Sequence, residues 1–167
     1  MPPHCDTRDG PVITAARSAL DTGNVNLVLI WVPNSAEEEL KDAFEKTRRV
    51  REASRQAQEL ADEWFFENAV RLHRAGEGAP YSGLKPAGLD WGPVVPRAEK
   101  AIETDDSTEA IYYVLRTIEE DLQRRFTRVA STKNYDVNNV RSGREYVHAY
   151  IDFVVYAHHL YAHVMHD

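Results

Sequence analysis

Two stretches of the chain concentrate side chains able to bind a transition metal. The first is His4-Cys5-Asp6-Thr7-Arg8-Asp9-Gly10-Pro11, which packs an imidazole, a thiol and two carboxylates into a few residues. A thiolate beside an imidazole suits late transition metals, and metal binding itself lowers a thiol's pKa. The second stretch holds five of the seven histidines, between residues 148 and 166. On a helix, His148, Asp152, Val155, His159, His163 and His166 fall within a stripe of about 80°. His159 and His163 lie one turn apart and can reach one ion, and His148 and Asp152 extend the same line. The expected metal set is therefore His4, Cys5, Asp9, His148, Asp152, His159 and His163. Ligand type leaves nickel, copper, iron and zinc open. Asp152 could instead orient an imidazole through its other ring nitrogen.

Each of these groups has a plainer reading. The histidine stripe can face water while Tyr146, Tyr150, Phe153, Ala157, Tyr161 and Val164 on the other side of the helix face the core. His-x-x-x-His also lacks the intervening glutamate of the zinc-protease pattern. His166, next to the final Asp167, is expected to fray. His73 sits on the side of its helix that carries Phe66 and Ala69, which predicts a satisfied core histidine. Glu63 and Glu67 are followed on the same side by Arg71 and Arg74, a pattern of surface ion pairs and not of a di-metal site.

The elements that must position these side chains read as helices arranged in two copies of one unit. A shift of 82 residues aligns Gly10-Pro11-Val12-Ile13 with Gly92-Pro93-Val94-Val95, and Glu37-Glu38-Glu39-Leu40 with Glu119-Glu120-Asp121-Leu122. Phe44 then falls on Phe126, and Glu63-Trp64 on Glu145-Tyr146. The first copy spans 10–74, the second 92–156 with its last helix running on to about 165. Gly-Pro opens each copy, since proline at the first helical position loses no needed hydrogen bond. In copy one the pattern predicts helices over 11–21, 24–32, a third to about 51 opened by a Ser35 capping box, and 55–74. In copy two Leu115 replaces Pro33, so the two middle helices are expected to fuse over 107–130, capped by Asp106 with Glu109. The last helix is expected over 139–165. No stretch alternates as a strand does. The expected fold class is all-α, an internally duplicated helical bundle with pseudo-two-fold related halves in a single domain, 1–167. The connection 75–91 is long for a compact domain. It reads either as a lid carrying Tyr81, Lys85 and Trp91 or, preferably, as an ordered link whose aromatics plug the seam between copies.

Composition narrows the function classes. The chain is 43% hydrophobic and 28% charged, as globular proteins are. A net charge of −7 disfavours nucleic acid as a partner. Cys5 is the only cysteine, so no internal disulfide forms. No apolar run approaches the length of a membrane span, and no basic segment leads into an apolar one, so a cytoplasmic location is expected. No hydrolytic triad and no phosphate-binding glycine loop is present.

The residues His4, Cys5, Asp6 and Gly10 resemble the His-Cys-Asp-x-x-Cys-Gly hook of the nickel superoxide dismutases, which precedes a helical bundle. That resemblance implies nickel bound by amine, imidazole and thiolates, with Asp9 standing where the family has its second cysteine. A longer likeness, carried by His4-Cys5-Asp6-Thr7, Asp9-Gly10-Pro11-Val12, Gly76-Glu77-Gly78-Ala79-Pro80-Tyr81 and Gly83-Leu84-Lys85-Pro86-Ala87-Gly88, is to an uncharacterised family of bacterial helical proteins. It implies the fold and no activity. Together these readings give a transition-metal-binding protein, in its enzymatic form a metal-dependent oxidoreductase acting on a small molecule. The alternative is a non-catalytic helical module for ligand binding or metal storage. Expected partners are a small-molecule substrate or ligand, neither nucleic acid nor membrane, and a homo-oligomer is compatible.

Overall fold

The computed structural model describes residues 4–165 and is all-helical across them. His166 lies outside the described residues. The helices are α1 (Pro11–Thr22), α2 (Asn26–Leu29), α3 (Glu37–Arg51), α4 (Arg55–Gly76), α5 (Val94–Thr104), α6 (Thr108–Thr132) and α7 (Val140–Met165). A 3₁₀ turn, Asn34–Ala36, precedes α3. The only β pairing among the described residues is an isolated parallel bridge between Thr7 and Lys85. No described helix is long and apolar enough to cross a membrane. The chain divides into two compact units at Gly92/Pro93.

The first unit builds its core from α1, α3 and α4. Pro11 starts α1 and Gly23, at φ 74°, ends it in the left-handed conformation that glycine adopts without strain. Val12, Ile13, Ala16, Ala19 and Leu20 recur at helical spacing and are all buried. α3 carries Glu37, Glu38 and Glu39 in its first turn and Arg48, Arg49 and Arg51 in its last, the order that complements the helix dipole. Its Leu40, Ala43 and Phe44 meet α4, where the Phe44 and Phe65 rings lie 5.7 Å apart. Ser54 caps α4 by accepting the Ala57 N–H at 3.1 Å. Arg51 ties the ends of these helices together: it donates to the Leu20 carbonyl at 2.8 Å and pairs with Asp62 at 2.6 Å.

Two local expectations fail in this unit. The second helix shrinks to Asn26–Leu29, and Ser35 forms no capping box because it is taken up in the 3₁₀ turn before α3.

The second unit contains the fused helix that Leu115 predicts: α6 runs unbroken over Thr108–Thr132. Asp106 accepts the Thr108 N–H at 3.0 Å, whereas Glu109 turns to Lys100, also at 3.0 Å, instead of completing the cap. α5 and α7 both pack on α6, with Phe126 against Phe153 and Tyr135 stacked on Tyr146. Its packing is far thinner than that of the first unit. Ala149 is the one described residue of the second unit that is fully buried.

The turn that feeds α1 tolerates no side chain at residue 10. A Cβ on Gly10 would stand 2.0 Å from the His4 carbonyl oxygen, which is backbone and cannot swing away. Gly10→Ala is therefore expected to destabilise the first unit by about 1–3 kcal/mol, the usual cost of forcing atoms into a packed site. Urea unfolding followed by circular dichroism measures it, and a change within error would contradict the close packing described.

Candidate functional sites

The N-terminal segment is a buried knot. Cys5 and Thr7 are fully buried and Asp6 is 2% exposed. The backbone makes tight turns here, with the Thr7 hydroxyl donating to the His4 carbonyl at 2.8 Å and the Gly10 N–H donating to the Thr7 carbonyl at 2.9 Å. The connection after α4 comes back to lie beside it. Lys85 N–H donates to the Asp6 carbonyl at 2.8 Å, and Arg8 N–H to the Lys85 carbonyl at 3.1 Å. The Asp6 carboxylate is paired with the Lys85 ammonium at 3.0 Å and the Arg74 guanidinium at 3.8 Å. A carboxylate taken this far from water requires such partners. Asp9 accepts the Gly88 N–H at 2.7 Å, which holds its carboxyl below the usual carboxylate range.

Burial, with the carboxylates of Glu77 and Asp6 nearby, pushes the Cys5 thiol up from 9.0 to about 11. A thiol so placed is protonated at neutral pH and a poor nucleophile. Asp9 spends its oxygen on a loop amide. Tyr81 and Leu84 of the connection after α4 pack on the first-unit core.

Nearby side chains follow the plainer readings. His73 is buried, its Nδ1 2.7 Å from the Trp31 carbonyl and its Nε2 3.5 Å from Glu77. Glu63 forms an ion pair, though with Arg8 and not with the arginines on its own helix. Arg71 goes to Glu39.

In the second unit the stripe on α7 borders a groove against α6 of about 410 Å³, lined by Arg125, His148, Ile151, Asp152, Val155, Tyr156 and His159. At its centre sits Arg125. The guanidinium donates to Asp152 at 2.6 Å and to Asp121 at 2.8 Å, and lies 3.9 Å from the centre of the Tyr156 ring. Asp152 Oδ1 is thus committed to the Arg125 guanidinium. Hydrogen bonds from Arg125 and Arg124 hold the Asp121 carboxyl down at about 2. His148 also borders a second hollow, lined by Arg128, Arg141, Arg144 and Glu145.

Among the described residues, no group of three or more His, Cys, Asp or Glu side chains is arranged to hold a metal ion. His4, Cys5 and Asp9 belong to the first unit, and His148, Asp152, His159 and His163 to the second. Arg125 was invisible to sequence reasoning. Its i, i+4 spacing from Asp121 signals a local ion pair, but nothing in the chain links it to Asp152, 27 residues on.

A model of a family of unknown function, DUF6448, matches residues 9–156. The chain belongs to this family. Of the dismutase-like residues, His4, Cys5 and Asp6 precede the matched stretch and Gly10 lies within it. No curated protein and no solved structure matches the chain.

Two titrations follow from these surroundings. A raised thiol pKa stabilises the fold in full below 9.0, and that contribution is lost as pH rises toward 11. Cys5 should therefore resist iodoacetamide at pH 8 in the native chain and react in urea, as read by mass spectrometry. For the depressed Asp121 carboxyl the sign reverses. Its contribution is present above 3.8 and lost as pH falls toward 2. Acid titration by circular dichroism should show a loss of helix in that window that Asp121→Asn largely removes.

Proposed function

We propose that the chain is a non-catalytic helical binding module that takes a small amphipathic anion in the groove between α6 and α7. One observation carries this reading: the groove's chemistry changes along its length, from an aliphatic wall of Ile151 and Val155 to His148 and then to the hollow bordered by Arg128, Arg141 and Arg144. An acyl or aryl body fits the first part, and a carboxylate or phosphate faces the second. Guanidinium groups suit such oxygens because they donate in pairs with matching geometry. Mostly apolar linings with a few convergent polar groups are the usual form of small-molecule sites.

Metal binding is the second reading, supported by His159 and His163, which are one turn apart on the exposed side of α7. It corresponds to storage or delivery of nickel, copper, iron or zinc. No redox step follows from these two donors. For the scaffold, we infer an internally duplicated single domain, supported by α1, α3 and α4 falling near α5, α6 and α7 at the 82-residue offset.

Octanoate tests the first reading. Its titration into the ¹⁵N-labelled chain should shift the resonances of His148, Ile151 and Tyr156 in a saturable manner. Arg128→Ala combined with Arg144→Ala should weaken that binding by about tenfold or more, the loss of one charge-assisted contact. Shifts spread evenly over the chain, or binding unchanged in the double variant, would remove the groove as the site. Elemental analysis of the same samples separates the second reading: stoichiometric metal lost in His159→Ala would favour it.

A further inference from the structure

The long helix α7 has two apolar seams, and the second-unit helices occupy only one. Ala149, Phe153, Tyr156 and Leu160 recur at three- and four-residue steps on the side that packs along α6, with Phe153 against Phe126. On the opposite side Val147, Ile151, Val154, His158, Tyr161 and Met165 recur at steps of 4-3-4-3-4. That spacing averages 3.5 residues, the repeat by which one helix packs along another over several turns.

These side chains lie open. Val147 is 49% exposed, Ile151 52%, Val154 43%, Tyr161 63% and Met165 57%. Their counterparts at the 82-residue offset make the contrast plain, because Phe65, Ala69 and Leu72 on α4 are buried in the first-unit core. There α4 packs against both α3 and α1, whereas α5 packs on α6. The face that a third helix covers in the first unit has no such cover from α5 in the second.

We propose that this seam is a homodimer interface, in which α7 of one chain packs along α7 of a second copy. Size supports it. With Tyr150, Val155 and Val164 on its flanks, the seam exposes on the order of 700 Å² of side chain, beyond the largest patch of most monomers and near the ~800 Å² each partner contributes to a standard interface. Charge supports a second copy over a different protein. Between Tyr146 and Val164 the only formal charge is Asp152, and it is bonded to Arg125 on the α6 side. Two chains of net charge −7 can therefore bring these seams together without local repulsion. The positions flanking the seam are His148, Tyr150, Val155, Ala157, Ala162 and Val164. They carry none of the Glu/Lys pattern by which paired helices select a different partner. A two-fold pairing in which each residue set faces itself satisfies such a seam. His158 is its one polar position, and a single polar residue in an apolar seam fixes register.

The seam shares Ile151 and Val155 with the groove's wall, so the variants that test it lie outside the groove's lining. Sedimentation equilibrium on the full chain tests it, with a dimer expected at twice the 19.0 kDa chain mass. Val154→Lys, at a seam position outside the groove's lining, should give a monomer with an unchanged helical spectrum, because residue 154 is 43% exposed in the single chain. Should that variant unfold, Val154→Ala with Tyr161→Ala supplies the reading, raising the dimer dissociation constant at least about tenfold. Octanoate binding to the monomeric variant would separate failure of this interface from failure of the groove. A wild-type chain that stays monomeric up to its solubility limit, or a dimer that neither variant weakens, would overturn the assignment.

Discussion

A carboxylate withdrawn from water must find positive charge or hydrogen-bond donors, and much of the first unit is arranged to supply them to Asp6. Lys85 arrives from the connection after α4, and Arg74 from the last turns of α4 itself. Once those cations are committed, the connection has to run beside the N-terminal segment. The backbone hydrogen bonds from Lys85 to Asp6 and from Arg8 to Lys85 then close a short parallel contact about Thr7. Cys5 is sealed under the same crossing, which is why its thiol holds its proton.

The second unit depends on a cation in the same way, but with less apolar material behind it. Arg125 joins α6 to α7 by donating to a carboxylate on each, and its flat face covers Tyr156. Arginine can do all three at once because its donors lie in a plane whose faces remain free for an aromatic ring. Around this centre the helices leave a groove on one side of α7 and an uncovered apolar seam on another. Both follow from one arrangement: α7 has more apolar circumference than its single long neighbour α6 can cover.

The two units illustrate how alike patterns of residues can be used differently. Each has a long last helix with apolar groups on several sides. In the first, α1 and α3 cover two of those sides, and Phe65, Ala69 and Leu72 disappear into a core. In the second, with Leu115 and no proline at that point, α6 runs unbroken over Thr108–Thr132. The second unit has three helices where the first has four and a 3₁₀ turn.

Helix identity was legible in the sequence because it depends on neighbours along the chain. The Gly-Pro start of α1 and the Leu115 fusion act within one or two turns, and the bounds of α1 and α6 follow them closely, whereas the Ser35 capping box gave way to a 3₁₀ turn. His73 as a core histidine was legible for the same reason, from its place on an apolar face. What tertiary structure alone decided is the electrostatic partner of each charged or ligating side chain. Asp6 meets Lys85, Asp9 meets Gly88, and Asp152 meets Arg125, each across a separation that no local pattern encodes. Whether a thiol or carboxylate is a ligand, a loop anchor or a buried counter-ion is set by which groups approach it through space, and residue type cannot specify that.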